Sequence, residues 1–130
     1  MDDDEFLAAF EAAAIPNTAF RHREHLRLAW LYVRRDGPEI GGAHVRAGLR
    51  RFAAAHGVPN LYHETLTGFW VRLVAHAVEA FPAERRFENL LARWVGFEDR
   101  RAPYRHWRPE TLNGAQARRE WVEPDLRPLP

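Results

Sequence analysis

The sequence predicts an all-α fold: a single-domain bundle of about five helices, with an extended, proline-rich C-terminal tail packed on it. Apolar residues recur every three or four positions along several segments, and strict strand-like alternation is absent. Glycine and proline stand where these segments end. A chain of 130 residues, 46% of them hydrophobic, suffices for one domain with a core. We place the bundle at about 3–96 and the tail at about 97–130 of this single domain, 1–130.

The first two helices are delimited by charge and by chain breakers. The acidic residues at 2–5 suit the positive end of a helix dipole, and Pro16 ends this helix, which we place at about 3–14. The second helix begins near 18–20 and ends before Gly37, where an Asp-Gly-Pro sequence forms a clear stop.

The later helices have similar signals. The third is predicted over about 38–56, and Gly57 is well placed as its C-terminal cap. The fourth covers about 63–79, and a proline is suited to open a fifth at about 82–96. A short helix near 115–122 is predicted within the tail, whose tryptophans indicate packing against the bundle.

Composition excludes several classes of function. The chain has no cysteine, which rules out disulfides, thiolate catalysis and cysteine metal sites. The 18 acids balance the 19 basic residues, all arginine, so no nucleic-acid partner is expected. No phosphate-binding or dinucleotide motif is present, so no nucleotide cofactor is expected. The acidic N-terminus is unlike a signal peptide and no apolar run is long enough for a membrane span, so we expect no membrane contact and a cytoplasmic location.

The second helix carries two histidines in line with its apolar stripe. Helical spacing from His22 places His25, Leu26, Ala29 and Val33 on one face. Both imidazoles are therefore predicted to point towards the interior, near the N-terminal end of the helix.

The fourth helix shows the same feature independently. Helical spacing from His63 places Leu66, Thr67, Trp70 and Val74 on one face. The histidine and the threonine are the polar members of this otherwise apolar stripe.

Histidines in this arrangement are typical of a metal site. Neutral imidazole is the commonest metal ligand, and three imidazoles with an open position make a catalytic rather than a structural site. We predict His22, His25 and His63 as ligands of one divalent transition metal ion, with His106 as a candidate fourth. The alternatives are a structural network of buried histidines bonded to backbone carbonyls or carboxylates, and unrelated histidines.

The segment from residue 62 to 70 is rich in groups that suit a small pocket. Glu64 and Thr67 are predicted to position a water or the substrate, and Tyr62, Trp70 and Trp30 to bind the substrate. For each tryptophan taken singly, core packing is the better interpretation. The arginine pairs at 50–51 and 100–101 could contact an anionic substrate, but we favour the interpretation that they lie on the solvent-exposed surface.

Three segments together resemble a family of small bacterial all-helical proteins to which no activity is attached. They are Phe20–Leu26 with Ala29–Trp30, Tyr62–Thr67 with Trp70, and Trp121–Leu126. The resemblance spans most of the chain and implies no function.

From these residues we expect a small-molecule enzyme with a histidine-based, metal-binding site in the mouth of a helical bundle, acting in bacterial specialised metabolism. The alternative is a non-catalytic module that binds a small ligand or a protein and contains a structural histidine network. Nucleic-acid binding is least favoured, because acids and arginines balance.

Overall fold

The computed structural model describes residues 1–130, apart from the side chain of Val95, and confirms the predicted all-helical class. No β-strand occurs in the described residues. The helices are α1 (Asp3–Glu11), α2 (His22–Asp36), α3 (Pro38–Ala55), α4 (Glu64–Ala80), α5 (Phe87–Arg93), α6 (Pro109–Leu112) and α7 (Ala115–Arg119). None of them, over the described range, has both the length and the apolar character needed to cross a bilayer.

Several helices are shorter than their sequence patterns indicate: α2 begins at His22, α7 ends at Arg119, and α1 and α5 differ as well. α1 ends at Glu11, and Ala13 adopts the left-handed backbone conformation with φ of 53°. α5 begins at Phe87 rather than near Pro82. The reason is local: the Glu84 carboxylate accepts hydrogen bonds from the next two backbone N–H groups, at 3.1 and 3.2 Å, and holds this stretch as a turn.

α2 is the central helix of the bundle. It packs against both α3 and α4, which also pack against each other. From Leu26 to Val33 nearly every side chain is buried, so this part of α2 contributes to the core on all sides. Its first turn, with His22 and His25, is less covered.

α2 and α3 approach most closely beside the turn that joins them. Gly37 makes this turn with φ of 87°. A Cβ atom on Gly41 would lie 2.5 Å from the backbone oxygen of Tyr32, so glycine is required for the observed helix contact. The Tyr32 hydroxyl donates a hydrogen bond of 2.7 Å to Glu11 and ties α1 to this region. We call the region around Gly37, Gly41 and Tyr32 the closed end of the bundle.

The C-terminal residues cover one side of α4 and fix its position. The Trp107 ring is fully buried, and the Trp121 ring lies 2.9 Å from where a Cβ atom on Gly68 would be. The Thr65 hydroxyl, also fully buried, donates a hydrogen bond of 2.8 Å to the backbone oxygen of Glu120. These contacts anchor the N-terminal part of α4.

Candidate functional site

A cavity of about 460 Å³ opens between the N-terminal ends of α2 and α4 and the C-terminal half of α3. We call it the central cavity, and its volume is within the range of small-molecule sites. Apolar and aromatic side chains form most of its wall. Its lining consists of Asn17, Phe20, His22, His25, Ala29, Val45, Leu49, Phe52, Ala53, Val58, Leu61, Tyr62, His63, Leu66, Thr67, Trp70, Val71 and Arg100.

The predicted site residues divide into two groups. Those that line the central cavity are His22, His25, Tyr62, His63, Thr67 and Trp70. Those that lie elsewhere are Trp30, Glu64 and His106.

His25 is the imidazole most open to the central cavity. Its side chain keeps an exposed surface, and its ring centre lies 4.6 Å from that of Phe20. Because it lies on a concave surface, protein still surrounds it. Desolvation by this protein, followed by the charges of His22 and Arg100, lowers the pKa of His25 to about 4. The ring is neutral at pH 7, and no side chain or carbonyl of the described residues hydrogen-bonds to it.

His22 is partly buried and has a fixed orientation. Its Nε2–H donates a hydrogen bond of 2.8 Å to the backbone oxygen of Phe97, so in the neutral ring Nδ1 carries the lone pair. Its ring meets that of Trp70 edge-on, with 4.5 Å between the ring centres. Desolvation is the main reason that the pKa of His22 is lowered, and the charge of Arg100 acts in the same direction.

His63 is buried, and both of its ring nitrogens are used within the protein. Nδ1 accepts a hydrogen bond of 3.1 Å from the backbone N–H of Leu66 and so caps α4. Nε2–H donates one of 2.7 Å to the backbone oxygen of Leu112. Burial is the main cause that lowers the pKa of His63, so the neutral form that makes both bonds is favoured. This histidine joins α4 to the C-terminal region.

These bonds bear directly on the predicted metal site. The described residues contain no group of three His, Asp or Glu side chains that could hold a metal ion. Ligation by His63 would break either the α4 cap or the bond to Leu112. The candidate fourth ligand, His106, lines a second cavity of about 350 Å³, and its Nδ1–H donates to the backbone oxygen of Arg127 at 2.9 Å. Of the three predicted ligands in the central cavity, His22 keeps Nδ1 and His25 keeps both ring nitrogens free of hydrogen bonds to the described residues. The three-histidine site stays a prediction.

Glu64 is engaged in a hydrogen-bonded ion-pair network. Its carboxylate accepts hydrogen bonds from the Tyr62 hydroxyl (2.5 Å), Arg46 Nε (3.0 Å) and Arg50 Nη2 (2.7 Å). The side chain is only 14% exposed, so these partners compensate its charge. Burial, and then the bond to Glu64, raises the pKa of Tyr62, and the phenol at the cavity wall therefore stays protonated.

The two tryptophans predicted to bind substrate have different environments. Trp70 is half-buried and forms part of the cavity wall. Trp30 is 1% exposed and packs in the core, with its ring centre 5.7 Å from that of Phe87. Core packing, the better interpretation for either tryptophan taken singly, is what the structure shows for Trp30.

Sequence reasoning did not assign several residues of the cavity wall to the site. Leu49 and Phe52 belong to the apolar stripe of α3 and, from sequence, could not be distinguished from ordinary core residues. Phe20 lies in the connection before α2. Arg100 lies far along the chain from the other lining residues. In the sequence it stands out only as part of the basic pair 100–101, and for that pair we favoured a solvent-exposed surface.

Comparison with known protein-family models, curated proteins and solved structures gave no match to this chain.

Proposed function

We propose that the protein is a small-molecule enzyme, that the central cavity at the mouth of the helical bundle is its active site, and that His25 is its acid–base residue. The observation that carries this proposal is the state of the His25 ring. It is neutral at pH 7, exposed to the cavity and free of hydrogen bonds to the described residues. A ring in this state can accept a proton from a bound substrate at one nitrogen and donate one from the other.

Other cavity residues support this role. Trp70 and Phe20 provide flat apolar surfaces against which a substrate can lie. The Thr67 hydroxyl offers a donor and an acceptor for orienting the substrate. His22, held by its bond to Phe97, lies one helical turn from His25 on the same cavity wall.

A metal-dependent form of the same proposal uses His22 Nδ1 and one nitrogen of His25 as protein ligands. Substrate or water would then complete the coordination of a divalent transition metal ion. Elemental analysis of protein purified without an affinity tag tests this form directly. Stoichiometric metal would support it. Loss of that metal in a His25→Gln variant would show that the ion is bound in the central cavity.

The acid–base role is tested by following the consumption of a mixture of small organic compounds by mass spectrometry. We expect His25→Gln to slow the consumption of any substrate by 100-fold or more, in line with the usual contribution of general acid–base catalysis. His44→Gln is the matched control, because His44 is half exposed on α3 beside Asp36 and does not line the cavity. Equal turnover by the wild type and the His25→Gln variant would contradict the proposal.

A non-catalytic small-ligand-binding module is the second candidate. It is favoured by the bonds that tie His22 and His63 to backbone oxygens, because these give both rings a structural role. Compounds that raise the melting temperature and are never consumed would support this candidate over the enzyme.

A further inference from the structure

Arg100 places an uncompensated positive charge at the wall of the central cavity. It is exposed, and no carboxylate of the described residues forms an ion pair with it. Its charge acts on both His22 and His25. Glu98 has a smaller, opposite effect on His22, but it is not among the lining residues. A ligand in the cavity therefore meets a guanidinium whose charge is still available.

The other charged groups near the cavity do not neutralise the positive charge of Arg100. No aspartate or glutamate occurs among the described residues that line it. Glu64, the acid next to His63, is already bonded to Arg46 and Arg50. α2 and α4 also begin at this cavity, and the positive ends of their dipoles add to the potential there. An anionic group is favoured in this environment, and a cationic one is disfavoured.

The rest of the cavity wall suits an apolar body. Phe20, Phe52 and Trp70 supply aromatic surfaces, and Leu49 and Val71 extend the wall along α3 and α4. A molecule with one charged end and an apolar remainder would satisfy both parts of the lining at once. A single guanidinium matches a carboxylate through two parallel N–H···O bonds.

We propose that the central cavity binds a small organic acid, with its carboxylate on Arg100 and its aliphatic or aromatic body between Trp70 and Phe52. This inference rests on the proposed function, because it names the class of substrate that the proposed active site would bind. In that complex the carboxylate is bound in the cavity that His25 also lines.

The test compares matched acids and amides. 3-Phenylpropanoate, indole-3-acetate and octanoate, each with its primary amide, are titrated into the protein by calorimetry at pH 7.5. We expect at least one acid to bind ten-fold or more tightly than its amide. Arg100→Gln should lower the affinity of that acid to the level of the amide and leave the amide unchanged. Arg101→Gln, which removes the adjacent arginine lying over the Tyr104 ring, should leave both affinities unchanged.

Three results would overturn the inference: equal binding of acid and amide, a preference for acid that survives Arg100→Gln, or no binding by any of the acids. Its failure is distinguishable from that of the proposed function. His25-dependent turnover of a neutral or cationic compound would overturn the organic-acid assignment and leave the enzyme standing. Arg100-dependent binding of an acid that is never consumed would support the assignment and favour the binding module.

Discussion

The two ends of the helical bundle are built in opposite ways. At the closed end, Gly41 lets α3 approach the backbone of α2 until no space remains for a methyl group. At the other end, the side chains of Phe20, Phe52 and Trp70, from the segment before α2, from α3 and from α4, line a cavity of about 460 Å³. A close backbone contact at Gly41 and bulky aromatic side chains around the cavity thus distinguish the two ends.

The charged groups are also distributed differently. At the closed end the Tyr32 hydroxyl donates to Glu11, and Arg35 forms an ion pair with Asp36 at 2.9 Å. The central cavity holds neutral imidazoles and the unpaired Arg100. Tyr32 and Asp36 at the closed end thus have partners within the protein, whereas Arg100 at the cavity has no ion-pair partner among the described residues.

The largest effect on stability is expected from substituting His63, which joins α4 to the C-terminal region beside the central cavity. His63→Ala removes the α4 cap and leaves the Leu112 carbonyl without its donor, so unfolding should become easier by about 3 kcal/mol. His63→Asn keeps a capping side chain and should recover about 1 kcal/mol. Urea denaturation measures both values. Equal stability of the wild type and His63→Ala would show that this histidine is no anchor.

A second substitution tests the close contact at the closed end. Gly41→Ala places a methyl group against the backbone of Tyr32, which cannot move as a flexible side chain can, and we expect a loss of about 2 kcal/mol. Gly96→Ala is the matched control, because the nearest atoms to its new Cβ lie at 4.0 Å. Thermal or urea unfolding measures the stability of both variants. If both lose a similar amount of stability, the close contact with Tyr32 is not the reason that position 41 requires glycine.

The third prediction concerns pH and follows from the imidazoles of the cavity end. The pKa values of His22, His25 and His63 are all lowered in the folded protein, so the unfolded chain takes up their protons first as the pH falls. Stability is fully present above about pH 6.5, the unfolded pKa, and declines towards pH 4. Solvent screens the exposed His25 ring, so its share of this loss is reduced. Melting temperatures across this range should fall less steeply for His25→Gln than for the wild type. Parallel curves for the two proteins would contradict the lowered pKa of His25.

The smallest effect on stability is expected from filling the cavity. Ala53 lines it, and Ala53→Leu should change the free energy of unfolding by about 0.5 kcal/mol or less, since the added atoms enter open space. The same variant should weaken the binding of an organic acid ten-fold or more. Ala54→Leu, at an exposed neighbouring position, should alter neither property. A large loss of stability in Ala53→Leu would mean that the space beside it is already filled.

Part of the candidate site could be predicted from helical periodicity. The stripes through His22 and His25 and through His63, Thr67 and Trp70 do meet at one cavity, because the short connections between α2, α3 and α4 bring the two N-terminal ends together. Periodicity could not distinguish one imidazole from another, because a hydrogen bond to a distant carbonyl leaves no local pattern in sequence.

Tertiary contacts account for the remaining differences. Trp30 and Trp70 have similar apolar surroundings in sequence, yet one is enclosed in the core and the other borders the cavity. From sequence, Glu64 is predicted to position a water or the substrate, but Arg46 and Arg50 from the neighbouring helix already bind its carboxylate. Arg100 reaches the cavity from the region that follows α5.

The sequence by itself determined the helical class and the faces of α2 and α4 that carry histidine, because backbone propensity and side-chain spacing act over a few residues. The tertiary structure decided which imidazole stays free, which acid is neutralised and which arginine faces the cavity. Those outcomes depend on hydrogen bonds and charges between segments far apart in the chain, which meet only when the core has formed.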